Sequence, residues 1–261
     1  MLVLRNAAKE RLEKGELALG AGVRLARTVE IAKAMKTAGY DWLFIDLEHG
    51  SMSLDSASQI AVAALDAGIA PIVRVPSGEF SMATRALDNG ALGIVIPHVN
   101  SAAEARLVVE KLRFPPQGHR SVIGVVPQFD FQSVKISELT ETLNATNLVV
   151  VMLETPQAIA NADEIAAVSG VDVLLIGTND LCAEMGIHGD SGNSKIVEAY
   201  QQVAAVCRKH NKWLGLGGVY DEPIMQRYIA MGARFILSGN DISFLIASAK
   251  SRTNFLRKIN L

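Results

Sequence analysis

The sequence predicts one (β/α)8 barrel, and three observations carry the prediction. Apolar runs of strand length alternate with helix-period segments eight times along the 261 residues. Five of those runs deliver a reactive residue at or just past their ends: Asp46, Arg74, His98, Glu154 and Asp180. The length also suits the architecture, for which roughly 250 residues is typical. Parallel strands covered on both faces read as near-continuous hydrophobe, and closing them into a ring brings their carboxyl ends to one mouth.

In chain order, residues 17–24 form a small, Gly-rich strand, followed by a helix over 28–38. The strand at 41–47 (Asp-Trp-Leu-Phe-Ile-Asp-Leu) runs into Glu48, His49 and Gly50. A helix over 54–67 stops at Gly68, and the strand 70–75 carries Arg74 before Pro76 ends it. Helix 80–89, capped by Gly90, leads to strand 92–99, then helix 101–113 and an irregular excursion to about residue 146. The strand 147–154 is the clearest, ending on Glu154. Helix 157–168, strand 171–177, helix 195–210, strand 213–218, helix 222–231, strand 234–238 and helix 242–257 complete a single domain over 1–261. A doubly wound open sheet would want a Gly-rich phosphate turn after its first strand. Gly20-Ala21-Gly22 lacks the third glycine and the helix directly behind it.

Composition narrows the function. A net charge of -2 gives no basic footprint for nucleic acid or an anionic membrane. The apolar runs fall far short of the ~20 residues that a membrane helix needs. The opening residues are charged and helix-like without a secretion core, and Cys182 and Cys207 lack metal or redox spacing. A cytoplasmic location is the expectation.

Glu154 and Asp180 follow adjacent strands, so both carboxylates would reach one spot, an arrangement suited to a hard divalent cation. The plainer alternatives are an N-cap role for Asp180 and a helix-terminus charge for Glu154. Arg74 cannot shed its proton and needs an anionic partner, either a substrate oxygen or a structural one, Asp46 or Glu48. His49 could act as a general base with Asp46 orienting its ring, or be a surface histidine. His98 lines the mouth or serves as a polar wall, while His119, His188 and His210 read as solvent-facing. No lysine ends a strand; Lys212 lies at the entrance to its strand, the wrong end. Schiff-base chemistry and pyridoxal phosphate are therefore disfavoured, and a metal is expected to supply the electrophile.

These segments together resemble a known family. Asp-Trp-Leu-Phe-Ile-Asp-Leu-Glu-His-Gly (41–50), Val-Arg-Val-Pro (73–76), Leu-Asp-Asn-Gly-Ala-Leu-Gly-Ile-Val-Ile-Pro (87–97), Phe-Pro-Pro-Gln-Gly-His-Arg (114–120), Leu-Glu-Thr (153–155) and Ile-Gly-Thr-Asn-Asp-Leu-Cys-Ala-Glu-Met-Gly (176–186) are similar, in order, to the HpcH/HpaI aldolases. Those are metal-dependent (class II) pyruvate aldolases. The resemblance implies a barrel of the phosphoenolpyruvate/pyruvate type that exchanges its last helix with a neighbour and assembles as a homohexamer, a trimer of dimers. It implies cleavage of 4-hydroxy-2-oxo acids to pyruvate and an aldehyde, and the reverse addition of pyruvate or hydroxypyruvate enolate. It carries over Glu154 and Asp180 as ligands of Mg2+, Mn2+ or Co2+, and Arg74 as the group neutralising the enolate. His49 paired with Asp46 becomes the acid/base, acting through a metal-bound water. Backbone amides around Gly177, Thr178 and Asn179, with Asp180, would hold the ketoacid, and Asp88 would reach into a neighbour's site.

Two departures bear on substrate. Met152 stands where the family often has Gln, and an aromatic common near Gly22 and Arg24 is missing. Arg24 either pairs with Glu48 or faces the aldehyde side, favouring acidic or polyhydroxylated acceptors. An acyl-CoA lyase on a related barrel would want a basic stripe, which the sequence lacks. A silent ketoacid-binding protein should have lost His49 or a metal ligand, and neither is lost.

Overall fold

In the computed structural model, which describes residues 4–260, eight parallel strands close into a barrel in sequence order. They are β1 (Ala18–Val23), β2 (Trp42–Asp46), β3 (Ala70–Arg74), β4 (Gly93–Ile96), β5 (Leu148–Leu153), β6 (Val173–Gly177), β7 (Trp213–Gly217) and β8 (Ala233–Asn240). Every expected strand is present, with boundaries moved by at most three residues, the largest shift being the end of the fourth strand at Ile96. Among the described residues, no helix is long and apolar enough to cross a membrane.

The Gly-rich character of β1 has a packing cause. A Cβ at Gly20 would sit 2.1 Å from the Trp42 indole, which stacks on Phe235 with ring centroids 4.0 Å apart. Trp42 and Phe235 fill the lower barrel with Ala18, Ile72, Leu148 and Val173, all buried. The barrel is a packed core whose open end lies above these rings. A second, larger apolar layer joins the outer strand faces to the surrounding helices.

The helices begin with α1 (Ala7–Glu13), α2 (Glu30–Thr37), α3 (Leu54–Ala67), α4 (Phe80–Asp88) and α5 (Ala102–Leu112). The excursion after α5 is more ordered than the sequence suggested. It contains a 3-10 turn at Pro127–Phe129 and the helix α6 (Ile136–Thr146), which bury Phe114, Val126, Phe129, Leu139 and Leu143 as their own small core. The helix expected over 157–168 is broken at Asn161 into α7 (Pro156–Ala160) and α8 (Ala162–Ala166). There the Asn161 side chain donates to the Asn100 carbonyl at 2.8 Å. A short helix, α9 (Thr178–Glu184), follows β6 without a linker, ahead of α10 (Ser194–His210), α11 (Glu222–Met231) and α12 (Asp241–Leu256).

Candidate active site

The carboxyl ends of the strands surround a cavity of about 220 Å³ lined by residues from every strand end except β4 and by Met152 of β5. Arg74, the last residue of β3, pairs in register with Asp46, the last of β2. Its Nε and Nη2 donate to the two Asp46 oxygens at 3.0 and 2.7 Å, and its Nη1 lies 2.9 Å from Glu48 Oε2. The guanidinium thus makes two hydrogen bonds to Asp46 and an ion pair with Glu48, and at least two of its five N–H groups stay uncommitted. Phe44 underlies the guanidinium, 4.9 Å from ring centroid to Cζ. The structural pairing anticipated for Arg74 is thus real, and the side chain lines the cavity as well.

That pairing changes the role expected of Asp46. Its Oδ1 accepts the backbone N–H groups of Glu48 and His49 at 3.1 and 3.2 Å. Asp46 therefore holds the main chain of His49, not its ring. A two-pronged, charge-assisted bond to the register neighbour Arg74 outcompetes a single imidazole contact. The His49 ring is exposed at the rim of the cavity, with no side-chain partner among the described residues.

Across the barrel, Glu154 follows β5 and is only 1% exposed. Its Oε2 accepts the His98 backbone N–H at 2.9 Å, with His98 Nδ1 at 3.4 Å. His98 adopts a left-handed φ of 55° to do so, a conformation that costs a non-glycine residue about 1 kcal/mol or more. Burial pushes the Glu154 pKa up to about 7, with the His98 contacts opposing, the Asp180 charge adding and Arg74 opposing. Gly177 makes room for this carboxylate: a Cβ there would lie 2.5 Å from Glu154 Oε1.

Asp180 sits in the first turn of α9, two residues inside the helix, so it is not the N-cap; Gly177 is. Asp180 and Asn179 are exposed and line the cavity. Thr178 contributes only its backbone, because its buried hydroxyl bonds the Tyr200 hydroxyl at 2.8 Å. No three His, Cys, Asp or Glu side chains among the described residues gather tightly enough to hold a metal by themselves. The fitting ion is one that two carboxylates bind while water and substrate complete its shell, as magnesium-like cations do. A buried carboxylate whose pKa is raised by burial and by a second carboxylate is the environment that a divalent cation reverses.

Other residues fall outside this centre. Asp88, at the end of α4, bonds Arg120 at 2.6 Å. Lys212 donates to the Val168 and Val171 carbonyls at the far end of the barrel. His119 and His188 are exposed, while His210 is half-buried and pairs with Asp163 at 2.9 Å. Arg24 meets neither alternative fully: its Nε lies 3.5 Å from Asp46 Oδ2 rather than Glu48, and the side chain lines the cavity. Tyr220, after β7, and Asn240, ending β8, also line it and were not anticipated. The same signal would have found them, an apolar strand followed by a polar residue.

Comparison with known proteins bears on the family and the barrel. The pattern of the HpcH/HpaI aldolase/citrate lyase family matches residues 25–248. A 4-hydroxy-4-methyl-2-oxoglutarate aldolase of Hapsidospora irregularis is 38% identical over 100% of this chain and 98% of its own length. A hydroxypyruvate/pyruvate aldolase of Roseovarius nubinhibens is 34% identical over 94% of both chains. The crystal structure of an HpcH/HpaI aldolase from Desulfitobacterium hafniense DCB-2 superposes with a TM-score of 0.91 at 27% identity, covering 97% of each chain. With the barrel, the converging strand ends and these likenesses together, the chain belongs to the HpcH/HpaI aldolase/citrate lyase family.

Proposed function

We propose that this pyruvate-type aldolase, a carbon–carbon lyase acting on 4-hydroxy-2-oxo acids, works from the cavity at the barrel mouth with a divalent cation held by Glu154 and Asp180. The observation that carries the reading is the buried Glu154 carboxylate, packed against cavity-lining Gly177 at the end of the strand next to Asp180, where burial foremost, with the Asp180 charge adding, raises its pKa. Mg2+, Mn2+ or Co2+ bound there would supply Lewis-acid stabilisation of negative charge on the ketoacid oxygens.

The chain's own groups divide the remaining work. Cleavage removes the C4 hydroxyl proton, makes a carbonyl at C4 and leaves the C3–C4 electron pair on the pyruvate enolate. His49, with its ring unpartnered at the rim, takes the hydroxyl proton and returns it in the reverse direction, a contribution of roughly 10²–10⁴-fold. Arg74 brings two uncommitted N–H groups to the oxyanion that develops in the transition state. Asp46 keeps Arg74 in plane and fixes the main chain of His49. Backbone amides at Gly177, Thr178 and Asn179, beside Asp180, hold the ketoacid carboxylate at the start of α9.

Assembly extends the reading. Helix α12 leaves Ile242, Leu245, Ile246, Phe255 and Leu256 exposed, an apolar surface suited to exchange with a neighbouring subunit. The family resemblance adds to this a homohexamer in which Asp88 serves a neighbour's site; sedimentation velocity tests the assembly, and Asp88→Ala tests the role.

The deciding experiment is a screen of 4-hydroxy-2-oxo acids, reading pyruvate release with Mg2+, Mn2+ and Co2+ against chelator. Turnover should need the cation. Full activity in chelator, or borohydride trapping of a pyruvate–lysine adduct, would overturn the assignment.

A further inference from the structure

Two carboxylates that share a cation must keep a fixed separation, and the chain that sets it here is short. Gly177, the last residue of β6, lies against the Glu154 carboxylate, where a Cβ would come within 2.5 Å of Oε1. Asp180 sits in the first turn of α9, which starts at the very next residue, Thr178. A helix turns about 100° per residue, so Thr178 and Asp180, two positions apart, point to nearly opposite sides. Asp180 lines the cavity. Thr178 turns its buried hydroxyl away from it, to the Tyr200 hydroxyl of α10 at 2.8 Å.

Among the described residues, that contact is the only side-chain hydrogen bond tying down the first turn of α9. The cap residue is a glycine with no side chain to offer. The other end of the helix is closed by its own backbone. Gly186 adopts a left-handed φ of 70°, and the Ile187 N–H reaches the Cys182 carbonyl at 2.9 Å, a common helix stop. A helix of 7 residues has few internal bonds to stiffen it, so its start rests where its partners hold it. Tyr200 is a firm partner. Its ring is buried and stacked on Tyr228 of α11, with centroids 3.7 Å apart and planes 10° apart. Tyr228 is fastened in turn, donating to the Ser191 carbonyl at 2.5 Å. Burial raises the pKa of both phenols, so both hydroxyls keep their protons.

We infer that Tyr200 is a positioning residue: through the Thr178 hydroxyl it fixes the start of α9, holds Asp180 in place relative to Glu154, and so sets cation affinity at the barrel mouth. This role rests on the cation reading and adds to it a residue of the outer helix layer that touches neither substrate nor metal.

The test combines calorimetric titration with Mn2+ and urea unfolding on Tyr200→Phe, Thr178→Val, their double variant and Tyr228→Phe. Each of the first two should weaken Mn2+ affinity about 10-fold, the lower end of the range for supports of a metal ligand. The shortfall in pyruvate release by Tyr200→Phe should close at saturating Mn2+. Each single change also strands one buried hydroxyl, whereas the double change removes both. The double variant should therefore unfold at higher urea than either single one, yet bind Mn2+ no better. Tyr228→Phe loses a buried hydrogen bond but keeps the ring stack, so it should lose stability while Mn2+ affinity stays within about 3-fold of the unaltered protein. Affinity that follows the urea midpoint across the series, or unchanged affinity in Tyr200→Phe, overturns the assignment. Mn2+ binding kept by Tyr200→Phe and lost by Glu154→Gln removes only the role of Tyr200. No Mn2+ binding by the unaltered protein removes the cation site, and the role of Tyr200 falls with it.

Discussion

The two arcs of the barrel mouth handle charge in opposite ways. On the arc from β1 to β3, two arginines face two carboxylates: Arg74 grips Asp46 and Glu48, and Arg24 stands 3.5 Å from Asp46. Charge there is balanced within the protein. On the arc from β5 to β6, Glu154 and Asp180 face each other's charge with no Lys or Arg within salt-bridge distance of either, and a His98 contact at 3.4 Å is the sole ionic neighbour of Glu154 among the described residues. A self-neutralised arc positions; an unbalanced arc binds. The second kind is where a divalent cation belongs, because a charge of +2 cancels what burial alone can cancel only by protonation.

The sharpest way to break this contrast is to change each arc separately. Glu154→Gln keeps the shape and removes the charge. Pyruvate release should fall on the order of 10³-fold or more, and calorimetric titration with Mn2+ should show binding lost with it. Retained Mn2+ affinity would place the cation elsewhere. Arg74→Lys attacks the other arc. A lysine cannot reproduce the two-pronged bond to Asp46, so kcat should fall about 10²- to 10³-fold while Mn2+ affinity stays within about 3-fold of the unaltered protein. Loss of Mn2+ binding in that variant would mean that the two arcs act as one unit.

A smaller effect comes from Gly177→Ala, which adds one methyl at the end of β6 against the Glu154 carboxylate. With the new Cβ only 2.5 Å from Oε1, the carboxylate must move. Mn2+ affinity should weaken about 10- to 100-fold, the scale on which displaced supports alter a metal ligand, and activity should recover at saturating Mn2+. Unchanged affinity would show that the Glu154 oxygen is not a ligand.

The sequence made the arcs visible because each reactive side chain follows its own apolar strand. Asp46, Arg74, Glu154 and Asp180 need only strand position to be found. What escaped is held by partners that pattern cannot pair. Asp241 fixes the Arg24 backbone from 217 positions away, and His98 serves Glu154 through a main-chain N–H from 56 positions away. The expected Asp46–His49 ring pair failed for a related reason. Proximity along the chain suggested it, and the register of β2 with β3 gave Asp46 a better partner. In the fold, α6 was missed because its apolar face serves a satellite core with Phe114 and Phe129, not the barrel.

The mildest prediction isolates the acidic arc without touching catalysis. Glu154 has a folded pKa of about 7 against an ordinary value of 4.5. The folded chain therefore holds a proton that the unfolded chain releases between those values. Its contribution to stability is complete below about pH 4.5 and is lost as pH rises toward about 7. In chelator, urea unfolding should show the protein weakening over that window by on the order of 1–3 kcal/mol from this group. Glu154→Gln has no proton to lose, so its stability curve over the same window should be flatter by that amount. Saturating Mn2+ should cancel the difference in the unaltered protein by replacing the proton, and should leave the variant's curve where it was. A variant and parent with parallel curves in chelator would mean that Glu154 is ionised throughout, and the acidic arc would then need a positive partner other than a cation bound between Glu154 and Asp180.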